Sequence, residues 1–425
     1  MKTNYKNNPL KGRRLFSLRM TAIITIAALA TFLTTRCSMG NPSLVFDAAD
    51  ESVLETQGVN EPWYPASLTK LMTAYVTFTA ISRGKISRNE RVVISKRAHA
   101  QPVSRLGIAA GSLISVDLAL KALLAFSAND IAMALAETVG GSEENFVRLM
   151  NDTARQLAMT GTYYANPSGL PDVRQVTTAH DLAILVDALI RDFPDDFHYF
   201  SEPSVTIGNK RYHNRNTLLG KMAGIDGIKN GFICNSGYNI VASATRNGRR
   251  LVAIVLGAES KEAADNTARA LLETGFADGA GNGIKSVEAL PDSGLPIEAP
   301  QDMAGSVCKR EQSLKTTPFG DLHGWSAVLG RGSSPNEATA LLVRQLAATR
   351  YVFYGGRSVI TQPPGRKDHL AIVDSLSRAQ SRRLCEYLHR QGAYCRELSP
   401  HDLAQISVPR AKSGNNRGTG PPLRK

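Results

Sequence analysis

Between Val116 and Gly141 the chain reads VDLALKALLAFSANDIAMALAETVGG. A run this apolar predicts buried helix on both sides of a break near Ser127, and helix of that kind has to be enclosed by other elements. Ser127-Ala-Asn129 interrupts it with a hydroxyl and an amide. Polar groups in such a place are costly unless they find partners, so the break is a candidate site as well as a structural constraint.

The rest of the chain supplies the enclosure. Residues 43–58 predict two short strands around an Asp-Glu turn, and a helix follows from about Ala66 to Ile81. Residues 143–159 and 178–192 have the spacing of amphipathic helices. YNIVASATRNGRRLVAIVLGAES reads as a hairpin around Asn247-Gly248, a strong turn signal. Strand, helices, then strands is the order of an α+β fold with helices packed on an antiparallel sheet. At 425 residues the chain has room for two or three domains. Residues 286–321 are rich in Pro, Ser and charge and read as a linker. Beyond them, WSAVLGR, PNEATALLVRQLAAT, RSVITQ, HLAIVDS, AQSRRLCEYLHRQ and AYCREL form a βαββαβ pattern. The expected segments are therefore 1–40, a body at 41–285, the linker at 286–321, a small domain at 322–400 and a basic disordered tail at 401–425.

Charge and cysteines narrow the setting. The net charge is +13, and residues 1–20 and 401–425 together carry a net ten of it. The body is close to neutral, which argues against a nucleic-acid surface. Basic residues 2–19 followed by the 15-residue apolar stretch Met20–Thr34 read as a signal segment. It ends in cleavage after Gly40, in lipid attachment at Cys37, or as an uncleaved anchor that associates the body with the inner membrane. Each outcome exports the body, with the periplasm as its expected place. In an oxidising compartment Cys385 and Cys395 either pair or remain two small buried hydrophobes. Cys234 and Cys308 have no evident partner, and no spacing suggests a metal site.

The chemistry is carried by three short motifs. Ser67 and Lys70 lie three residues apart, neighbours on a helix, at the edge of the stripe Leu68, Leu71, Met72, Tyr75 and Val76. Near a helix start, a half-buried lysine has a lowered pKa and can take the serine proton. Ser-x-x-Lys alone is weak: Ser82-Arg-Gly-Lys85 and Ser306-Val-Cys-Lys309 share it without a supporting core. At the helix break, Ser127 can relay a proton and Asn129 can donate to a substrate amide. In GIDGIKNGF, Lys229 can attract a carboxylate, and Gly231 lets another backbone approach.

In order and spacing, Ser67-x-x-Lys70, Ser127-x-Asn129 and Lys229-x-Gly231 resemble the motifs of penicillin-binding proteins and serine β-lactamases. With YPASLTKLMTAY, SANDIAMALAE, ANPSGL and NRNTLL, residues 43–275 are similar to the D-alanyl-D-alanine carboxypeptidases. The resemblance implies a β-lactamase/transpeptidase-like sheet flanked by helices. It also implies peptidoglycan stem peptides as substrate, acylation of Ser67 by substrate or by β-lactam antibiotics, Lys70 as base, and no cofactor. Ser127 and Lys229 would move the proton and hold the terminal carboxylate, and the N–H groups of Ser67 and Phe232 would form an oxyanion hole. Arg215 is either a further carboxylate contact or a solvated arginine. The family's threonine is replaced by Asn230, which puts the carboxylate contact at that position in question. A D,D-endopeptidase or transpeptidase on the same core and a catalytically silent wall-binding protein are the alternatives. A β-lactamase would need a second base, and residues 145–201 contain no Glu. Residues 322–400 resemble a SPOR domain, which implies binding to glycan strands.

Overall fold

The computed structural model describes Met1 and residues 41–102, 104–278, 284, 286–292, 300–308, 316–347, 349 and 356–407. The targeting segment expected at 1–40, beyond Met1, and residues 408–425 of the expected tail lie outside the described residues. In chain order the strands begin with β1 (Ser43–Asp47) and β2 (Val53–Gln57). Two short ribbons follow, β3 (Arg91–Val93) with β4 (Leu113–Ser115) and β5 (Ser204–Ile207) with β6 (Lys210–His213). Then come β7 (Ile225–Ile233), β8 (Gly237–Arg246) and β9 (Arg249–Ala258). The helices of this part are α1 (Thr69–Ser82), α2 (Lys96–His99), α3 (Val116–Lys121), α4 (Asn129–Gly140), α5 (Glu143–Gln156), α6 (Ala179–Asp192) and α7 (Lys261–Asp278).

The main sheet has the order β2-β1-β9-β8-β7, antiparallel throughout. Its centre is the expected hairpin: Asn247 and Gly248 have φ of 51° and 82°, the double left-handed turn that matches strand twist. Alternate residues of β8 and β9 face opposite layers. Ile240, Ala242, Ala244, Leu251, Ala253 and Val255 pack with Ala264, Ala268 and Leu272 of α7. Val241, Val252, Ile254 and Leu256 join the larger core with α1, α4 and α6. The apolar run at 116–141 lies inside that core. Its break is a π-helical turn, Ala122–Phe126, closed by Ser127 at φ 66° and an extended Ala128.

The C-terminal elements are α8 (Ala304–Val307), β10 (Trp325–Gly332), α9 (Pro335–Ala347), β11 (Arg357–Thr361), β12 (His369–Leu376), α10 (Arg378–Arg390), β13 (Arg396–Leu398) and α11 (Pro400–Ser407). From β10 to β13 they follow the expected βαββαβ order, in a sheet ordered β11-β12-β10-β13. Leu342 of α9 and Leu384 and Leu388 of α10 pack with one sheet face through Leu329, Ile360 and Val373. The opposite face, including Val328, Val359 and Ile372, is covered by Phe319, Leu322 and Leu403. Leu403 belongs to α11, so the segment expected to be disordered from residue 401 begins as helix.

Two further expectations change. Cys234 and Cys308, read as unpartnered, form a disulfide across 74 residues, and Cys385 pairs with Cys395. The first pairing arises because the described part of the expected linker is a packed strap. Met303 N donates to Asn235 O at 3.0 Å, Asn235 Nδ2 donates to Asp302 at 3.0 Å, and Met303 and Ala304 are buried. Val287 and Leu290 are buried as well, with His180 Nε2 3.0 Å from the Val287 carbonyl. Pro, Ser and charge describe the strap's exposed side and conceal the few apolar residues that dock it.

Candidate active site

The nucleophile turn precedes α1. Pro65 leads into a 3₁₀ turn over Ala66–Leu68, and Ala66 has φ 47°, a left-handed conformation that costs about 1–2 kcal/mol for a residue with a Cβ. Three groups hold it. Asn239 of β8 donates to the carbonyls of Tyr64 and Pro65 at 2.9 and 3.3 Å and accepts Gly257 N at 2.9 Å. Gly169, at φ +83°, lies so close that a Cβ there would stand 1.7 Å from the Ala66 carbonyl oxygen. At Gly231 of β7 a Cβ would stand 2.8 Å from Ser67 N. Strand, turn and loop thus meet backbone to backbone around Ser67, and glycine is required at both approaches.

Lys70 is fully buried. Its Nζ lies 2.9 Å from Ser67 Oγ, 2.8 Å from Asn129 Oδ1 and 2.6 Å from the Ser168 carbonyl oxygen. Burial holds its pKa well below the ordinary lysine value, the Lys229 charge adds to this, and Asp130 partly offsets it. A neutral amine has two N–H donors and one lone pair. Asn129 Oδ1 and the Ser168 carbonyl are acceptors only, so they take both donors. The lone pair is then left facing the Ser67 hydroxyl, an arrangement in which Lys70 can accept the serine proton.

Asn129 spends its oxygen on Lys70 and donates through Nδ2 to Pro102 O at 3.2 Å. It thereby holds the lysine while lining the cleft. Ser127 is buried, lines the cleft, and its Oγ has no hydrogen-bond partner among the described residues. Lys229, buried on β7, donates to the Asn230 carbonyl at 2.9 Å. Its pKa is lowered to about 7 by burial first and by the Arg215 charge second. Arg215 is exposed, lies 4.5 Å over the Phe126 ring and donates to Ser104 Oγ at 3.4 Å. Ser67, Ser127, Asn129, Arg215, Asn230, Gly231 and Phe232 all line one open cleft of about 320 Å³, with Ser104, Ser168, Gly169, Leu170 and Ile233.

Among the described residues that line it there is no carboxylate, and these present hydroxyls, amides and positive charge. Asp172, in the loop region between the second and third motifs, is bound by Arg174 at 2.7 and 2.9 Å. The sequence reading missed Ser104, Asn239 and Asp130, whose carboxylate takes the N–H groups of Leu106 and Gly107 at 2.9 Å each. It also missed the Ser168 carbonyl, which no side-chain motif can signal.

A family model described as D-alanyl-D-alanine carboxypeptidase matches residues 39–260, just over half of the chain. D-alanyl-D-alanine carboxypeptidase DacC of Escherichia coli is 38% identical over 240 residues, covering 55% of this chain and 60% of that protein. DacA of Haemophilus influenzae is 34% identical over 240 residues, covering 55% and 61%. The chain thus spans about three fifths of the length of these curated relatives. Among solved structures, penicillin binding protein 5 from Haemophilus influenzae matches at 33% identity and TM-score 0.55, over 56% of this chain and 71% of that one. Penicillin-binding protein D2 from Listeria monocytogenes, solved in a cefotaxime-bound form, matches at 31% identity and TM-score 0.51, over 56% and 97%.

The close approach at Gly169 makes a direct test. Gly169→Ala should slow covalent labelling of Ser67 by an acylating β-lactam about 100-fold, the cost of a misplacement of about 1 Å. Labelling kinetics with circular dichroism as the folding control would show it. A rate near wild type would mean that the 166–170 loop does not set the nucleophile's position.

Proposed function

The chain belongs to the D-alanyl-D-alanine carboxypeptidase family, and on that premise we propose that it is a serine carboxypeptidase that removes the terminal D-Ala from peptidoglycan stem peptides. The observation that carries this reading is the 2.9 Å contact between Ser67 Oγ and a buried Lys70 whose two N–H donors are otherwise engaged. Ser67 Oγ attacks the carbonyl carbon of the penultimate D-Ala, and its proton passes to Lys70 Nζ. The oxyanion is received by the N–H groups of Ser67 and Phe232, worth about 3–4 kcal/mol per donor. The C–N bond then breaks, and the leaving amine of the terminal D-Ala takes a proton by way of Ser127. Water hydrolyses the acyl-enzyme. A β-lactam enters the same sequence and remains as the acyl group. β7 is an edge strand of the main sheet, so an extended peptide can hydrogen-bond along it.

The terminal carboxylate is drawn by Lys229 and Arg215, with the Asn230 amide replacing the family's threonine hydroxyl beside them. A lining with no acid among the described residues suits an anionic C-terminus. For the chain as a whole, export by the N-terminal segment would place this chemistry at the cell wall. The βαββαβ order favours a glycan-binding role for residues 322–400, an assignment that rests on the sequence resemblance.

Three measurements test these readings. Intact mass after benzylpenicillin should show one adduct that Ser67→Ala abolishes, and incubation with a synthetic pentapeptide should release free D-Ala. Adduct without D-Ala release would favour an endopeptidase, and neither would indicate a silent binder. Second, kcat/KM should rise with pH as Lys70 loses its proton and fall near pH 7 as Lys229 loses its charge, since the protonated form attracts the carboxylate. Arg215→Ala removes a neighbouring positive charge, raises the Lys229 pKa and should move the falling limb to higher pH. An unmoved limb would separate Arg215 from the carboxylate site. Third, protein blocked with benzylpenicillin should still sediment with purified sacculi. Failure of the unblocked chain to sediment would show that the C-terminal module has no role in wall binding.

A further inference from the structure

The C-terminal module does not hang free of the catalytic body. Residues Asp172–Arg174 form its seat. Val173 is buried in the module's own apolar cluster, together with Ala327, Ile360 and Val373. Arg174, only 2% exposed, holds Asp172 through Nε at 2.9 Å and Nη2 at 2.7 Å, and Nη2 also donates to the Gly356 carbonyl at 3.2 Å. Ser358 of β11 completes the contact, its hydroxyl donating to Asp172 Oδ1 at 3.5 Å.

The next residue belongs to the catalytic machinery's support. Gln175 Nε2 donates to Thr69 Oγ1 at 2.6 Å, and Gln175 Oε1 accepts the N–H groups of Ala165 and Asn166 at 2.7 and 3.2 Å. Asn166 Oδ1 in turn accepts Ser168 N at 3.2 Å and Gly169 N at 2.8 Å, and the Ser168 carbonyl receives Lys70 Nζ. From the module to the catalytic lysine the path is therefore short: Gly356, Arg174, its neighbour Gln175, Thr69, its neighbour Lys70. Each step is a direct hydrogen bond or a peptide bond.

We propose that docking of the C-terminal module on Asp172–Arg174 sets the acylation competence of Lys70, with Arg174 as a positioning residue. The inference rests on the reading of Ser67 and Lys70 given above. The bidentate pair fixes the loop's exit, and the Gly356 and Ser358 contacts tie the module's edge to it. Release of the module leaves Val173 and Arg174 without the surface that buries them, and the loop carrying Ser168 loses one of its two anchored ends. A wall ligand that prefers the docked or the undocked arrangement would then change the cleft's affinity for its ligand by the same factor by which occupation of the cleft changes the affinity for the wall ligand.

The test is made on the full chain. Ser358→Leu removes the hydroxyl contact with Asp172 and crowds the seat, adding no charge and leaving every residue of the catalytic body as it is. The second-order rate of benzylpenicillin acylation should fall roughly tenfold, the scale of coupling carried by contiguous contacts. The rising limb of its pH profile should also move to higher pH, because a loosened loop admits water to Lys70. The charged groups acting on Lys70, Lys229 and Asp130, are unchanged in this variant. Arg174→Lys keeps the charge and loses the fork, and should show a smaller shift in the same direction with Asp172 still paired. A wild-type rate and an unmoved limb in both variants would overturn the proposal, as would a lower rate with an unmoved limb, which reports only a reduced folded fraction. Failure of the underlying reading is separate: the unmodified chain would then show no adduct on Ser67.

Discussion

A lysine with no exposed surface is the constraint around which the site is built. An ammonium group in that position is opposed by desolvation and by Lys229, so the amine is driven toward its neutral form. A neutral buried amine still needs partners for two N–H groups, and the chain supplies them from two distant places, Asn129 after the helix break and Ser168 in the 166–170 loop. The polar interruption of an apolar helical run is thereby explained by the demands of one nitrogen. The π-helical turn and the left-handed Ser127 are the backbone means of bringing Asn129 to it. They leave Ser127 Oγ at the cleft with no hydrogen-bond partner among the described residues.

Close approach is the second consequence. Nucleophile turn, loop and edge strand have to converge within backbone contact, which forces Ala66 into a left-handed conformation and excludes side chains at Gly169 and Gly231. Strain of this kind persists where its surroundings over-determine it, and Asn239 does so from the sheet by binding two carbonyls of the turn and one N–H of β9. The main sheet is thus more than a scaffold: β8 holds the serine in place and β7 offers the edge beside it.

Much of this was legible in the sequence, and the reason is chemical. Ser67, Lys70, Ser127, Asn129, Lys229 and Gly231 are side chains, or a required absence of one, at short fixed spacings on elements with clear periodicity. The Asn247-Gly248 turn, the break at Ser127 and the βαββαβ order were legible for the same reason. What stayed hidden acts through the backbone or across long separations. Ser168 contributes a carbonyl, which any residue has. Asn239 sits in an ordinary strand pattern. Cys234 and Cys308 are brought together only by a strap whose few buried residues are diluted by Pro, Ser and charge. The helix from Pro400 to Ser407 is held by Leu403 under the second sheet, a tertiary contact that overrides a composition typical of disorder.

The C-terminal module is bound up with the body by the same kind of long-range contact. The strap is pinned by Cys234–Cys308 three residues beyond Gly231, on the β7 wall of the cleft. The module itself is seated on Asp172–Arg174, on the lysine wall. A buried ion pair gains little as a source of stability, because desolvation offsets most of its attraction, yet breaking one partner away is strongly unfavourable. Such a pair therefore contributes orientation more than strength. A module meant only to tether an enzyme to a polymer needs a linker and no seat, since effective concentration depends on reach alone. Here a buried, forked pair within the loop presents one further N–H to the Gly356 carbonyl, and this ties the module's placement to the loop that holds Lys70.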